Sequence, residues 1–157
     1  MNPTRSWTND LDEARQRVAA LGASLPPLVD VAALGVKSKA PYNLLSAREA
    51  LIWRTEELAR NACDALEKGD YAAAGLLTRA VAESAALTWY LLKILQTRAH
   101  RTTEQLNDVL WRVATGSKKW KDVSEAVNIL TCVERIDRTL PGFRNTYDSL
   151  SEFAHPN

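Results

Sequence analysis

The stretch from Ser46 to about Arg98 constrains this chain most. Apolar residues recur through it at helical spacing, and the only interruption is Lys68-Gly69-Asp70. Gly69 supplies the stop, because glycine takes the left-handed conformation that ends a helix without steric cost. Asp70 supplies the next cap. A connection this short obliges the two long helices to fold back on each other as an antiparallel hairpin.

The remainder is also helical in pattern. Glycine is sparse, with 6 in 157 residues, and the period-two alternation of strands is absent. A first helix is expected from about Asp10 to Leu21, capped by Thr8 or Asn9 and stopped near Gly22. A loop from Ser24 to Leu45 follows, in which Pro26, Pro27 and Pro41 exclude a continuous helix. Its middle, LVDVAAL, forms a short turn or helix. Ser46 with Glu49 fits a capping box and opens the second helix, which ends near Lys68. The third runs from Asp70 to about Arg98. Thr102 with Gln105 repeats the capping pattern and opens the fourth, stopped at Gly116. The fifth is expected from Trp120 to Leu140, and Pro141 suits the first turn of the sixth. The fold class is therefore all-α, a mostly antiparallel bundle of about five to six helices. Residues 1–45 form an N-terminal helix and wrapping loop, and residues 46–157 the bundle domain.

A formal net charge of +1 and a pI near 7.8 give no global bias toward nucleic acid or membrane. The N-terminus has no signal-peptide core, and no apolar run approaches the ~20 residues of a bilayer span. The expectation is a cytoplasmic protein without membrane contact. Cys63 and Cys132 lie within apolar helical patterns and read as buried free thiols of a reducing compartment. There is no CxxC, HExxH, Glu-x-x-His, GxSxG or phosphate-binding glycine loop. No metal and no cofactor is expected.

Two helices carry the polar residues of interest. On the third, Leu76, Ala80, Ser84, Leu87, Leu91 and Ile94 form the main apolar stripe, and further apolar residues extend it well round the cylinder, as in a central helix. Arg79 and Glu83 interrupt that surface, with Tyr90 on the same strip. Charges beside a buried seam need partners. Arg before Glu is the weaker order for support along one helix, so a tertiary role is expected. Gly75 and the alanines before Arg79 leave room for a neighbour to come close. The last helix, PGFRNTYDSLSEFAHPN, offers that neighbour. Arg144, Asp148, Ser151 and His155 fall on one stripe, and Phe143, Tyr147, Leu150 and Ala154 on the next. The spacing predicts a polar cluster of Arg79, Glu83, Tyr147, Ser151 and His155 between helices three and six, which either locks helix register or forms a site. Arg144, Asp148 and Asn157 are candidate binding residues on the same helix.

TRAVAESAALTWYLLK on the central helix and YDSLSEFAHPN on the late one together resemble the HEPN-like helical domains, over roughly Ser46 to Asn157. The closest look is to bacterial members whose last core helix ends in His-Pro. The resemblance implies a four- or five-helix bundle, frequent homodimerisation and, in many members, metal-independent ribonuclease activity in toxin or phage-defence systems. Those ribonucleases carry an R-x4–6-H motif, with four to six residues between the Arg and the His. Here ten residues separate Arg144 from His155, and no Arg lies in the required place. A ribonuclease on this chain would pair His155, as the base of near-neutral pKa, with Arg79 as the cation on the phosphate. Glu83, Tyr147 and Ser151 would support them. The leading expectation is instead a binding or assembly module acting through a dimer groove near this cluster, with RNA or another protein as further partners.

Three secondary features complete the reading. His100 with Arg98 and Arg101 makes a small basic cluster, read as a solvated loop or a phosphate contact. Lys118, Lys119 and Lys121 surround Trp120, a basic-aromatic pattern that also suits a helix anchor. Trp53, Trp89 and Trp111 fall at core or interface spacing.

Overall fold

A computed structural model describes residues 6–28, 30, 33, 39–97, 102–115 and 125–154. Among these residues the fold is six helices without a strand: α1 Trp7–Ala23, α2 Lys39–Lys68, α3 Tyr71–Gln96, α4 Thr103–Thr115, α5 Ile129–Asp137 and α6 Phe143–Ala154. The all-α bundle is as expected. None of these helices is long and apolar enough to cross a membrane.

The α2–α3 hairpin forms as the sequence dictates. Gly69 adopts φ +81°. Its N–H donates to the Leu66 carbonyl at 3.1 Å, and the Asp70 N–H to the Ala65 carbonyl at 2.9 Å. These two bonds are the pair that closes a Schellman turn and satisfies the last free carbonyls of α2. Asp70 holds the cap position, although its side chain makes no capping bond.

Helix ends differ from expectation where a local signal had competitors. α2 begins at Lys39, so Ser46 and Glu49 are interior residues and not a cap. Pro41 falls in the first turn, where its missing N–H would have no helical partner anyway. α1 is capped by Ser6, whose hydroxyl accepts from the Thr8 N–H at 3.3 Å. Residues 125–128 are not helical, and α5 starts at Ile129 behind Asn128, which accepts from the Leu130 N–H at 3.0 Å. At the start of α4 the Thr102–Gln105 box is formed in both directions, at 3.1 and 3.3 Å.

α3 is the centre of the bundle. It packs against α2, α5 and α6, while α2 also carries α1 and α4. The core lies on two sides of α3. One side joins Ala86 to Cys132, Val133 and Ile136 of α5 and to Tyr147 of α6. The other joins Leu91 to Ala47 and Leu51 of α2 and Leu110 of α4, and Leu87 touches both. Cys63 and Cys132 are buried and free. Leu76, Trp53 and Trp111 are exposed, so these three apolar residues do not enter the core.

Candidate functional site

α6 lies against the first half of α3 at ordinary packing distance: a Cβ added at Gly75 would meet Phe153 at 3.6 Å. That approach puts Tyr147 against Arg79 and Glu83. The Tyr147 hydroxyl donates to Glu83 Oε1 at 3.0 Å and accepts from Arg79 Nη2 at 3.4 Å. Arg79 Nη2 and Glu83 Oε1 lie 3.5 Å apart, which closes the ring. The Arg79 guanidinium carbon also sits 5.6 Å from the centre of the tyrosine ring. Tyr147 is only 3% exposed, whereas the Arg79 and Glu83 side chains keep 28% and 27% of their surface in solvent. The hydrogen bond to Tyr147 holds Arg79 above the ordinary guanidinium range against the opposing cost of burial, with a smaller contribution from the charge of Glu83. Its Nε is buried and finds no partner among the described residues.

Other members of the expected cluster behave differently. Ser151 hydrogen-bonds the Tyr147 carbonyl of its own helix at 2.9 Å and adds nothing to the ring. Its hydroxyl takes the i−4 carbonyl, as serines within helices often do. Arg144 and Asp148 do not face α3. Arg144 Nε donates to both Asp148 oxygens, at 2.9 and 2.8 Å, and Nη1 reaches Glu134 of α5 at 3.4 Å. They form an i,i+4 pair on the outer side of α6. His155 and Asn157 lie outside the described residues, as do Arg98, His100, Arg101, Lys118, Lys119, Trp120 and Lys121. Trp89 is partly buried against the α5 side of the core, with the Lys93 ammonium 4.8 Å above its ring.

Two contacts escaped the sequence reading. Asp137 Oδ1 accepts from the N–H groups of Gly142 and Arg144, at 3.0 and 2.9 Å, and so caps α6 from the end of α5. The signal was an Asp five residues before Gly142, whose φ of +96° marks the turn. Arg135 stacks on Tyr90 at 5.0 Å, a pairing between helices that no local pattern announces.

Two cavities among the described residues lie away from the ring. A polar cleft of about 890 Å³ opens between the end of α3 and α4, lined by Tyr90, Glu104, Asp108 and Arg112 among others. An apolar trench of about 530 Å³ lies between α1, α2 and α3. Thr78 and Val81 form its floor, on nearly the opposite side of α3 from Arg79 and Glu83 at about 100° per residue. The trench thus lies across α3 from the cluster and not beside it. Among the described residues no three His, Cys, Asp or Glu side chains converge as a metal site would require.

Chemically, the ring can fix the rotation and height of α6 on α3, because it ties one side chain of α6 to two side chains one turn apart on α3. With its hydroxyl bonded on both sides, Tyr147 has little capacity left for a ligand. No protein-family model, no curated protein and no solved structure matches the chain.

Proposed function

We propose that this chain is a helical binding or assembly module of the HEPN-like kind, working as a homodimer, in which the Arg79–Tyr147–Glu83 ring is architectural. The observation that carries the reading is the closure of the ring. The Tyr147 hydroxyl is bonded on both sides, Arg79 Nη2 and Glu83 Oε1 face each other, and none of the three side chains lines the polar cleft or the apolar trench; the Arg79 Nε alone is buried without a partner among the described residues. An active site would leave its cation and base facing open space where a reacting group could sit. The bacterial defence or toxin–antitoxin setting belongs to the same proposal and rests on the motif resemblance.

The competing reading, a metal-independent ribonuclease using His155 with Arg79, draws on the partial exposure of a guanidinium held firmly cationic. Incubation of wild type, His155→Ala and Arg79→Ala with a mixed RNA pool in EDTA separates the two. The module reading expects no cleavage by any of the three. Cleavage by wild type that both substitutions abolish would replace it with the ribonuclease.

A further inference from the structure

α1 is an unusual helix for a bundle: none of its residues is buried. Arg15 ties it to α2, reaching Asp64 at 3.0 Å and Glu67 at 2.8 Å. Its apolar residues Trp7, Leu11, Ala14 and Val18 line one wall of the trench, with Ala62 and Leu66 of α2 and Thr78 and Val81 of α3 among the residues lining the rest. At the far end Leu21 borders a second cavity of about 290 Å³, with Ile52, Ala85, Trp89 and Leu92. The stripe Trp7, Leu11, Ala14, Val18, Leu21 recurs every three to four residues, the spacing of a helix that packs against another helix. Trp7 stands 66% exposed at its start.

The hydroxyls of the second cavity are already engaged: Thr55 donates to the Leu51 carbonyl at 2.6 Å and Thr88 to the Ser84 carbonyl at 2.9 Å. An extended peptide, which must find partners for its backbone, is poorly served there. An α-helix satisfies its own backbone and needs only apolar contact.

The charges on the rim select which helix. Asp10 and Arg17 line the trench on either side of Ala14, seven residues apart and of opposite sign. Two copies of α1 laid antiparallel and crossing near Ala14 bring Asp10 beside Arg17 of the partner subunit, twice, by symmetry. Ala14, small and central, lets the two backbones approach. The same register carries each Trp7 toward the partner's Leu21 end, where the second cavity can accept an indole. Both members of the pair are already engaged, Arg17 with Glu13 of its own helix at 2.6 Å, but Arg17 is 79% exposed and Asp10 is exposed as well, and such surface pairs are weak enough to exchange.

We infer that the α1–α2–α3 trench is the site where α1 of a second copy of this chain docks, antiparallel across a two-fold axis, with Asp10 and Arg17 as the reciprocal charge pair. This inference rests on the assembly reading above and locates its interface.

The test is sedimentation equilibrium on wild type, Asp10→Arg, Arg17→Asp and an equimolar mixture of the two variants, with helicity checked by circular dichroism. Neither position is buried, so both variants are expected to fold. Wild type is expected at twice the monomer mass of 17.4 kDa. Each variant places like charges together and is expected to raise the dimer Kd by about tenfold or more. In the mixture each Arg again meets an Asp across the axis, and dimer formation is expected to recover. A wild-type dimer indifferent to both substitutions would overturn this interface while leaving self-assembly intact. A wild type that stays monomeric would overturn both, and would give the trench to a different occupant.

Discussion

Removing one oxygen from the α3/α6 ring isolates what the ring contributes. Tyr147→Phe keeps the aromatic packing against Ala86, Cys132, Val133 and Ile136 and deletes only the hydroxyl. That hydroxyl donates to a carboxylate at 3.0 Å, a bond of the charged class that is worth about 1.5–3 kcal/mol when buried. Glu83 and Arg79 keep roughly a quarter of their surface in water, so solvent takes over part of the lost bonding. The net cost is expected at about 1–2 kcal/mol, or a drop in Tm of roughly 2–8 °C for a chain of this size. Urea titrations of Tyr147→Phe, Glu83→Gln and the double variant form a cycle. Its coupling energy is expected at about 0.5–1.5 kcal/mol, since the residues touch. Ser151→Ala is the control: its hydroxyl bonds only its own helix, and its effect should stay within about 0.5 kcal/mol. A neutral Tyr147→Phe with no coupling to Glu83 would refute the idea that the ring fixes α6 on α3.

Further outcomes follow from single positions. Gly69→Ala places a Cβ at φ +81° and should cost about 1 kcal/mol, although nothing lies within 4 Å to clash. Gly75→Ala should instead stabilise α3 by about 0.5–1 kcal/mol, because its new Cβ meets Phe153 at an ordinary 3.6 Å; both are read from urea midpoints. Asp137→Ala removes the cap on α6 and should cost about 1 kcal/mol, with faster amide exchange at Arg144 as its local signature. Burial pushes the Cys132 thiol up to about 11, from an ordinary 9.0. The folded protein therefore holds that proton more tightly than the unfolded chain. This contribution is full below pH 9 and is lost as pH rises toward 11, by about 2–3 kcal/mol. Cys132→Ala should lack that share of the alkaline loss, and an equal decline in both proteins would contradict it.

The hairpin was legible because Gly69 and Asp70 are a local signal with no competitor nearby. The Thr102–Gln105 box was legible for the same reason, and both of its bonds form. Ser46 and Glu49 carry the same pattern in the middle of a helix. A capping box marks a start only when nothing upstream continues the helix, and Pro41 stops continuation only if it lies beyond the first turn. Arg79, Glu83 and Tyr147 were predictable because each alone would be costly at an apolar seam. Ser151 shares their stripe but has a carbonyl of its own helix within reach, and spacing does not reveal that choice. The Asp137 cap and the Arg135–Tyr90 stack join separate helices, so their partners are set by packing angles that no short window contains. The exposed Trp53 and Trp111 show the reverse error, since periodicity records a stripe without saying whether anything covers it.

The absence of any buried residue in α1 has a kinetic meaning. The contacts of the α2–α3 hairpin are near in sequence, so their loop closure is cheap and they can form early. α1 joins across the whole length of the segment before α2 and adds no sealed core when it docks. Its amides are expected to exchange at a free energy well below that of the hairpin, as a separate cooperative unit. On that expectation the molecule divides into a slow-opening body and a fast-opening arm, and α1 is expected to leave and return while the body stays folded.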